Sequence, residues 1–216
     1  MLLLSNTDVP RPSKVTGVTE LELHVQRTRQ RVQKLQANDA SAAKVDVELH
    51  VGDAIYRKES ELDEKKDQDH PFDPTNPERY DRILATDCAY HFDTRRKFLG
   101  QAFAKLEPGH GRIALADICF DSSALTSWKT RALTFVVQLM PLHNRISKEE
   151  YVRQMQSDVG FEDVRCEDIT EEVFPEFIKF LKRQGMLWWI FASVLQVYTS
   201  CGARFVVVSG QRPASR

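Results

Sequence analysis

Residues 80–120 read YDRILATDCAYHFDTRRKFLGQAFAKLEPGHGRIALADICF, and their periodicity decides the fold. Tyr80 to Ala85 alternates loosely and ends in Thr86-Asp87, while Arg112 to Ala116 is a short apolar run ending in Asp117, as buried strands of parallel sheets do. Between them, Phe98, Ala102, Phe103 and Leu106 fall at helical spacing. Glu107-Pro108-Gly109 stops that helix, because proline cannot continue it and glycine permits the turn. The pattern predicts a strand, a helix and a second strand with a right-handed crossover. Polar groups, among them Asp87, Tyr90 and His91, gather where the first strand ends.

The chain has 216 residues, the size of one domain with a substantial core, and a formal net charge of -1. That balance gives no basic field, so nucleic acid is not an expected partner. Cys88, Cys119, Cys166 and Cys201 have no CxxC spacing and lie mostly in apolar runs. They read as reduced core thiols of a cytoplasmic protein, and no metal site is expected. Met1 to Leu4 is apolar but too short, and lacks the basic start, for a signal peptide or an anchor.

The YDRI strand, the DCAYHF loop, the helix and then LEPGHGRIALAD resemble the later motifs of the class I S-adenosylmethionine-dependent methyltransferases. Many members carry a leucine-x-proline-glycine-glycine-arginine turn before their fifth strand. Here Leu106 to Arg112 is one residue longer. The resemblance implies a Rossmann-like, doubly wound α/β sheet and S-adenosylmethionine as cofactor. The fourth-strand loop and the later Gly160-Phe161 look like the small-molecule branch, in the style of sterol, tocopherol and cyclopropane-fatty-acid methyltransferases.

Upstream, Lys14 to Thr19 reads as a short strand and Glu20 onward as a helix, with Leu23, Val25, Val32 and Leu35 apolar. Val45, Val47, Leu49 and Val51 alternate with Asp46, Glu48 and His50, as a half-exposed edge strand does, and Gly52-Asp53-Ala54 follows. By resemblance, Thr19 stands where the family contacts the cofactor ribose, with Glu20 able to supply a carboxylate. Thr19 as a helix N-cap is an equal reading. Asp53 matches the acid that accepts from the adenine amine, with Ala54 as a small wall, and a Gly-Asp turn is the simpler reading. Residues 57–79, rich in charge and proline, are expected to form a disordered solvated loop.

Past Phe120, Ser122 to Met140 reads as a helix, and residues 121–150 resemble the family's lid or substrate wall. Ser147 and Glu150 form a capping box. GFEDV leads to the sixth strand, Ile169 to Gly185 is helical, and Ala203 to Ser209 matches the closing antiparallel strand. Met186 to Thr199 is apolar almost throughout yet shorter than the roughly 20 residues that span a bilayer. Core packing is the first reading of Trp188 and Trp189, and a substrate-facing or membrane-facing surface the second.

The family's first strand ends in a glycine-rich loop, and no glycine precedes Gly17 here. The chain therefore resembles a single methyltransferase domain without its first strand, a central strand whose loss divides the sheet and bares strand edges to partners or self-association. The implied function is methyl transfer from S-adenosylmethionine to a small, lipid-like or aromatic acceptor. Asp87 and Tyr90 would lie by the cofactor and His91 would serve as general base. The chain by itself is expected to bind the cofactor poorly. The alternative is a non-catalytic remnant acting as a binding module.

Overall fold

A computed structural model describes residues 10–57, 70–128, 130–132 and 140–214. They fall into two compact units, Met1–Glu78 and Arg79–Arg216.

In the first unit, strand β1 (Lys14–Thr19) pairs in parallel with β2 (Asp46–Val51), from Lys14 opposite Asp46 to Thr19 opposite Val51. Helix α1 (Glu22–Asn38) joins them. It buries only Val25 and Val32, one heptad apart, and Val32 packs with Val45, Val15, Leu35 and Val47. Leu23, expected on that face, is exposed. The helix opens at Leu21 without a side-chain cap, so the N-cap reading of Thr19 fails. Part of the expected disordered loop is also well organised. His70 and Asp73 are buried, and Asp73 accepts from the backbone and hydroxyl of Thr75, so local Asx chemistry holds the proline-rich run. Residues 58–69 of that loop lie outside the described residues.

The second unit holds a four-stranded sheet in the order β3-β4-β6-β5. Strand β3 (Arg82–Thr86), helix α2 (Arg95–Lys105) and strand β4 (Arg112–Phe120) form the expected parallel unit. Thr94 caps α2, and Phe98, Leu99 and Ala102 bury its inner face. The turn into β4 uses both glycines: Gly109 has φ +85°, and a Cβ on Gly111 would lie 2.6 Å from the carbonyl oxygen of Glu107. His110, the extra residue of the turn, stands between them and reaches the Asp81 carboxylate at 3.0 Å.

Strand β4 runs beyond its expected end at Asp117, which lies buried within it because a partner neutralises its charge. Helix α3 covers only Ser122–Thr126 and stops at Ser127, so one continuous helix to Met140 is not formed. Residues 129 and 133–139 of the expected lid lie outside the described residues.

Helix α4 (Lys148–Arg153) starts with the Ser147 hydroxyl accepting from the Glu150 amide, half of the expected box. The Glu150 side chain turns to Arg153 instead. A π-helical turn, Gln154–Val159, and left-handed Gly160 lead to β5 (Glu162–Asp168). Helices α5 (Thr170–Lys182) and α6 (Met186–Ser200) follow, and β6 (Ala203–Gln211) closes the sheet antiparallel to both β4 and β5.

The core joins Ile118 and Phe120 of β4 to Phe174 and Ile178 of α5, Leu195 of α6 and Phe205 of β6. Trp188 and Trp189 are half exposed, so the core reading of this pair is overturned: α6 buries only its later residues. Among the described residues, β1 and β3 each pair on one side only, in two separate sheets.

Candidate active site

Asp87 directly follows β3; its φ of 55° turns the chain sharply, and its amide donates to Ala116 of β4 at 2.8 Å. A 3-10 turn, Ala89–His91, follows. The Tyr90 hydroxyl donates to Asp87 Oδ1 at 3.0 Å, and the His91 ring lies 4.2 Å from the Tyr90 ring. These three expected residues are thus brought together. Desolvation raises the Asp87 carboxyl above its ordinary range, against the opposing hydrogen bond from Tyr90. Burial, with Asp87 adding to it, also raises Tyr90, which stays a donor. Burial pushes the neighbouring Cys88 thiol up to about 11.

A buried polar chain that the sequence reading missed holds this loop. Asn144 donates to Tyr90 O at 3.0 Å and Phe92 O at 2.6 Å, while its Oδ1 accepts from the Arg95 amide. The Arg95 guanidinium donates to the carbonyls of Asn144 and Ile118 and lies 4.6 Å from the Tyr151 ring centroid. Its Nε sits 2.8 Å from Asp117 Oδ2, an ion-pair contact whose angle falls outside that of a hydrogen bond. Tyr151 donates to the same oxygen at 2.8 Å. An aspartate within an apolar strand and an arginine at a helix start were the available signals.

Asp87, Tyr90 and His91 line a pocket of about 310 Å³ with Phe174, Phe177, Phe191, Leu195, Tyr198 and Phe205 among its walls. Aromatic walls with a few polar groups suit an apolar small molecule. The Tyr198 hydroxyl is buried there and has no hydrogen-bond partner among the described residues. These wall residues come from α5, α6 and β6, and no local motif marked them.

In the first unit, Thr19 ends β1 and Glu20 is exposed; among the described residues no side-chain hydrogen bond engages either. Asp53 accepts from the Ile55 amide at 3.0 Å and from Arg57 at 2.8 Å, an Asx turn closed by an ion pair. Each oxygen keeps a further acceptor site, since a carboxylate offers about four. Ala54 follows it directly, and Ile55 is buried. Among the described residues no cluster of ligating side chains fits a metal ion.

This is the fold of the class I methyltransferases. A geranyl diphosphate methyltransferase solved in complex with SAM superposes with a TM-score of 0.62, at 16% identity over 92% of this chain and 68% of that one. The geranyl diphosphate C-methyltransferase of Streptomyces coelicolor A3(2) gives a TM-score of 0.64 at 16% identity, over 93% and 63%. Among curated proteins, the erythromycin 3''-O-methyltransferase of Saccharopolyspora erythraea is 23% identical over 183 residues, 81% of this chain and 51% of that protein. The chain thus spans about half the length of the curated relative it matches. No family model matches the sequence.

Proposed function

We propose that the protein transfers a methyl group from S-adenosylmethionine to a small, lipid-like or aromatic acceptor. The pocket carries this reading: an aromatic cavity opening on Asp87, Tyr90 and His91 at the end of β3, in a methyltransferase fold. Thr19 and Glu20 would hold ribose hydroxyls, and Asp53 beside Ala54 the adenine amine; Asp87 and Tyr90 would stand next to the cofactor in the second unit. When bound, the cofactor supplies an electrophilic methyl carbon on its sulfonium.

The rest of the task is alignment and exclusion of water, which effective-molarity arguments value at several kcal/mol of barrier. Tyr90, kept protonated, donates to Asp87 and fixes its carboxylate. His91, exposed beside Tyr90, takes the proton of a hydroxyl or amine acceptor at a ring nitrogen. The walls of α5 and α6 keep the acceptor's apolar part from water. The free state of all four cysteines supports a cytoplasmic setting.

Titration of the protein with S-adenosylhomocysteine tests the reading. Asp53→Ala should weaken binding by about 1 to 3 kcal/mol, the cost of an unsatisfied buried partner. A folded protein that takes up no cofactor would overturn the reading. The one-sided pairing of β1 and β3 favours a second reading, in which a partner or second copy adds a strand. Size-exclusion chromatography of the 216-residue chain separates the two.

A further inference from the structure

The hairpin of α5 and α6 ends in a tip that no methyl-transfer step requires. Met186 and Leu187 are 78% and 79% exposed, Trp188 and Trp189 both 52%, and Ile190 50%. Five consecutive helical residues, at about 100° each, cover the whole circumference. Farther along α6 the pattern changes: Ala192, Leu195 and Tyr198 are buried in a single stripe that docks the helix on the core. A protein partner laid along α6 would need an apolar stripe on one side. An apolar tip exposed by half or more at five successive helical positions suits a medium that surrounds it.

The charges that end α5 are mainly basic, with Glu176 paired to Lys179. Lys179, Lys182 and Arg183 precede the tip, and no aspartate or glutamate follows Glu176 to the end of the sequence. Among the described residues Lys182 donates to the neutral Gln196 side-chain oxygen at 3.0 Å, and Lys179 bonds Glu176 at 2.6 Å. Tryptophan beside an aliphatic tip with basic residues behind it is the pattern of interfacial membrane binding. At about 1.5 Å per residue, residues 186–190 reach roughly 7 Å, within the depth that interfacial helices occupy. Among the described residues no helix is long and apolar enough to cross a membrane.

We infer that the tip Met186 to Ile190 inserts into the interfacial layer of a bilayer bearing anionic lipids, with Lys179, Lys182 and Arg183 against the headgroups. Phe177 and Phe191 are partly exposed beside the tip and also line the pocket, so an apolar acceptor passes from lipid to pocket along them. That route rests on the methyltransferase reading; the docking itself does not.

The test needs neither cofactor nor acceptor. The whole chain, with Trp128→Phe to leave Trp188 and Trp189 as reporters, is mixed with phosphatidylcholine vesicles lacking or containing about one third phosphatidylserine. We expect co-sedimentation with the anionic vesicles and a blue shift of tryptophan emission. Leu187→Glu with Trp189→Glu should lower partitioning about tenfold or more, since each charge opposes insertion. Lys182→Glu with Arg183→Glu should remove the preference for anionic lipid. Failure of a folded chain to bind vesicles would overturn the inference. So would binding that the tip variants leave unchanged, or a dimer that those variants dissolve while vesicles compete for nothing.

Discussion

Arg95 and Asp117 face each other at 2.8 Å with side chains 1% and 0% exposed, and through Asn144 this pair reaches the loop that carries Tyr90. Removing one member strands the other charge in the core, at about 3 to 5 kcal/mol. Asp117→Ala should therefore lose stability on that scale in urea unfolding. Arg95→Met with Asp117→Leu should recover much of the loss, since an apolar pair leaves no charge uncompensated. Equal stability of the single and double variants would mean that the pair is not coupled.

Tyr198 gives the opposite expectation. Its hydroxyl is buried with no partner among the described residues, so its desolvation opposes folding. Tyr198→Phe should leave the empty protein as stable or up to about 1 to 3 kcal/mol more stable. It should also weaken binding of any acceptor whose polar atom reaches that depth. Thermal melts and a direct binding assay read the two effects separately, and a destabilised variant would show that the hydroxyl has a partner.

Asp87 yields a pH dependence with a definite sign. Desolvation raises its carboxyl in the fold, so the native state holds a proton that the unfolded chain, near pH 3.9 for aspartate, has already released. Stability of the parent protein then falls as pH rises from that value through the elevated one. Asp87→Asn does not titrate, keeps an acceptor for the Tyr90 hydroxyl and tolerates the positive φ. The variant's stability relative to the parent should rise across this window in urea melts at successive pH values. A constant difference would contradict the raised carboxyl.

Strand and helix periods made β3, α2 and β4 legible because each element buries one face locally, as Phe98 and Ala102 do. Asp117 misled, since an aspartate after an apolar run looks like a strand end and nothing nearby announces Arg95 as its counter-charge. The residues at the end of β3 could be named from sequence because their loop resembles the fourth-strand loop of the methyltransferase family. The pocket walls could not, as Phe174, Tyr198 and Phe205 meet only through tertiary packing. Trp188 and Trp189 failed for a related reason: an apolar run does not reveal what covers it.

The turn before β4 supplies a last, paired prediction from two glycines in neighbouring elements. At Gly111 a Cβ would stand 2.6 Å and 2.7 Å from the backbone oxygen and nitrogen of Glu107 and 2.9 Å from the Leu106 Cβ. Leu106 is fully buried, and the Gly111 amide itself donates to the Glu107 carbonyl, so the turn has no direction in which to give. Gly111→Ala should cost about 1 to 3 kcal/mol, as overpacking does, and shift the start of β4. At Gly100, on the exposed face of α2, a Cβ meets nothing within 4 Å. Alanine there keeps the helical backbone and restricts the unfolded chain, so Gly100→Ala should gain about 0.5 to 1 kcal/mol. Chemical denaturation of both variants against the parent checks the pair. A neutral Gly111→Ala would show that the longer Leu106 to Arg112 turn does not depend on the close approach of its second glycine, and a loss at Gly100 would place that face of α2 against a surface.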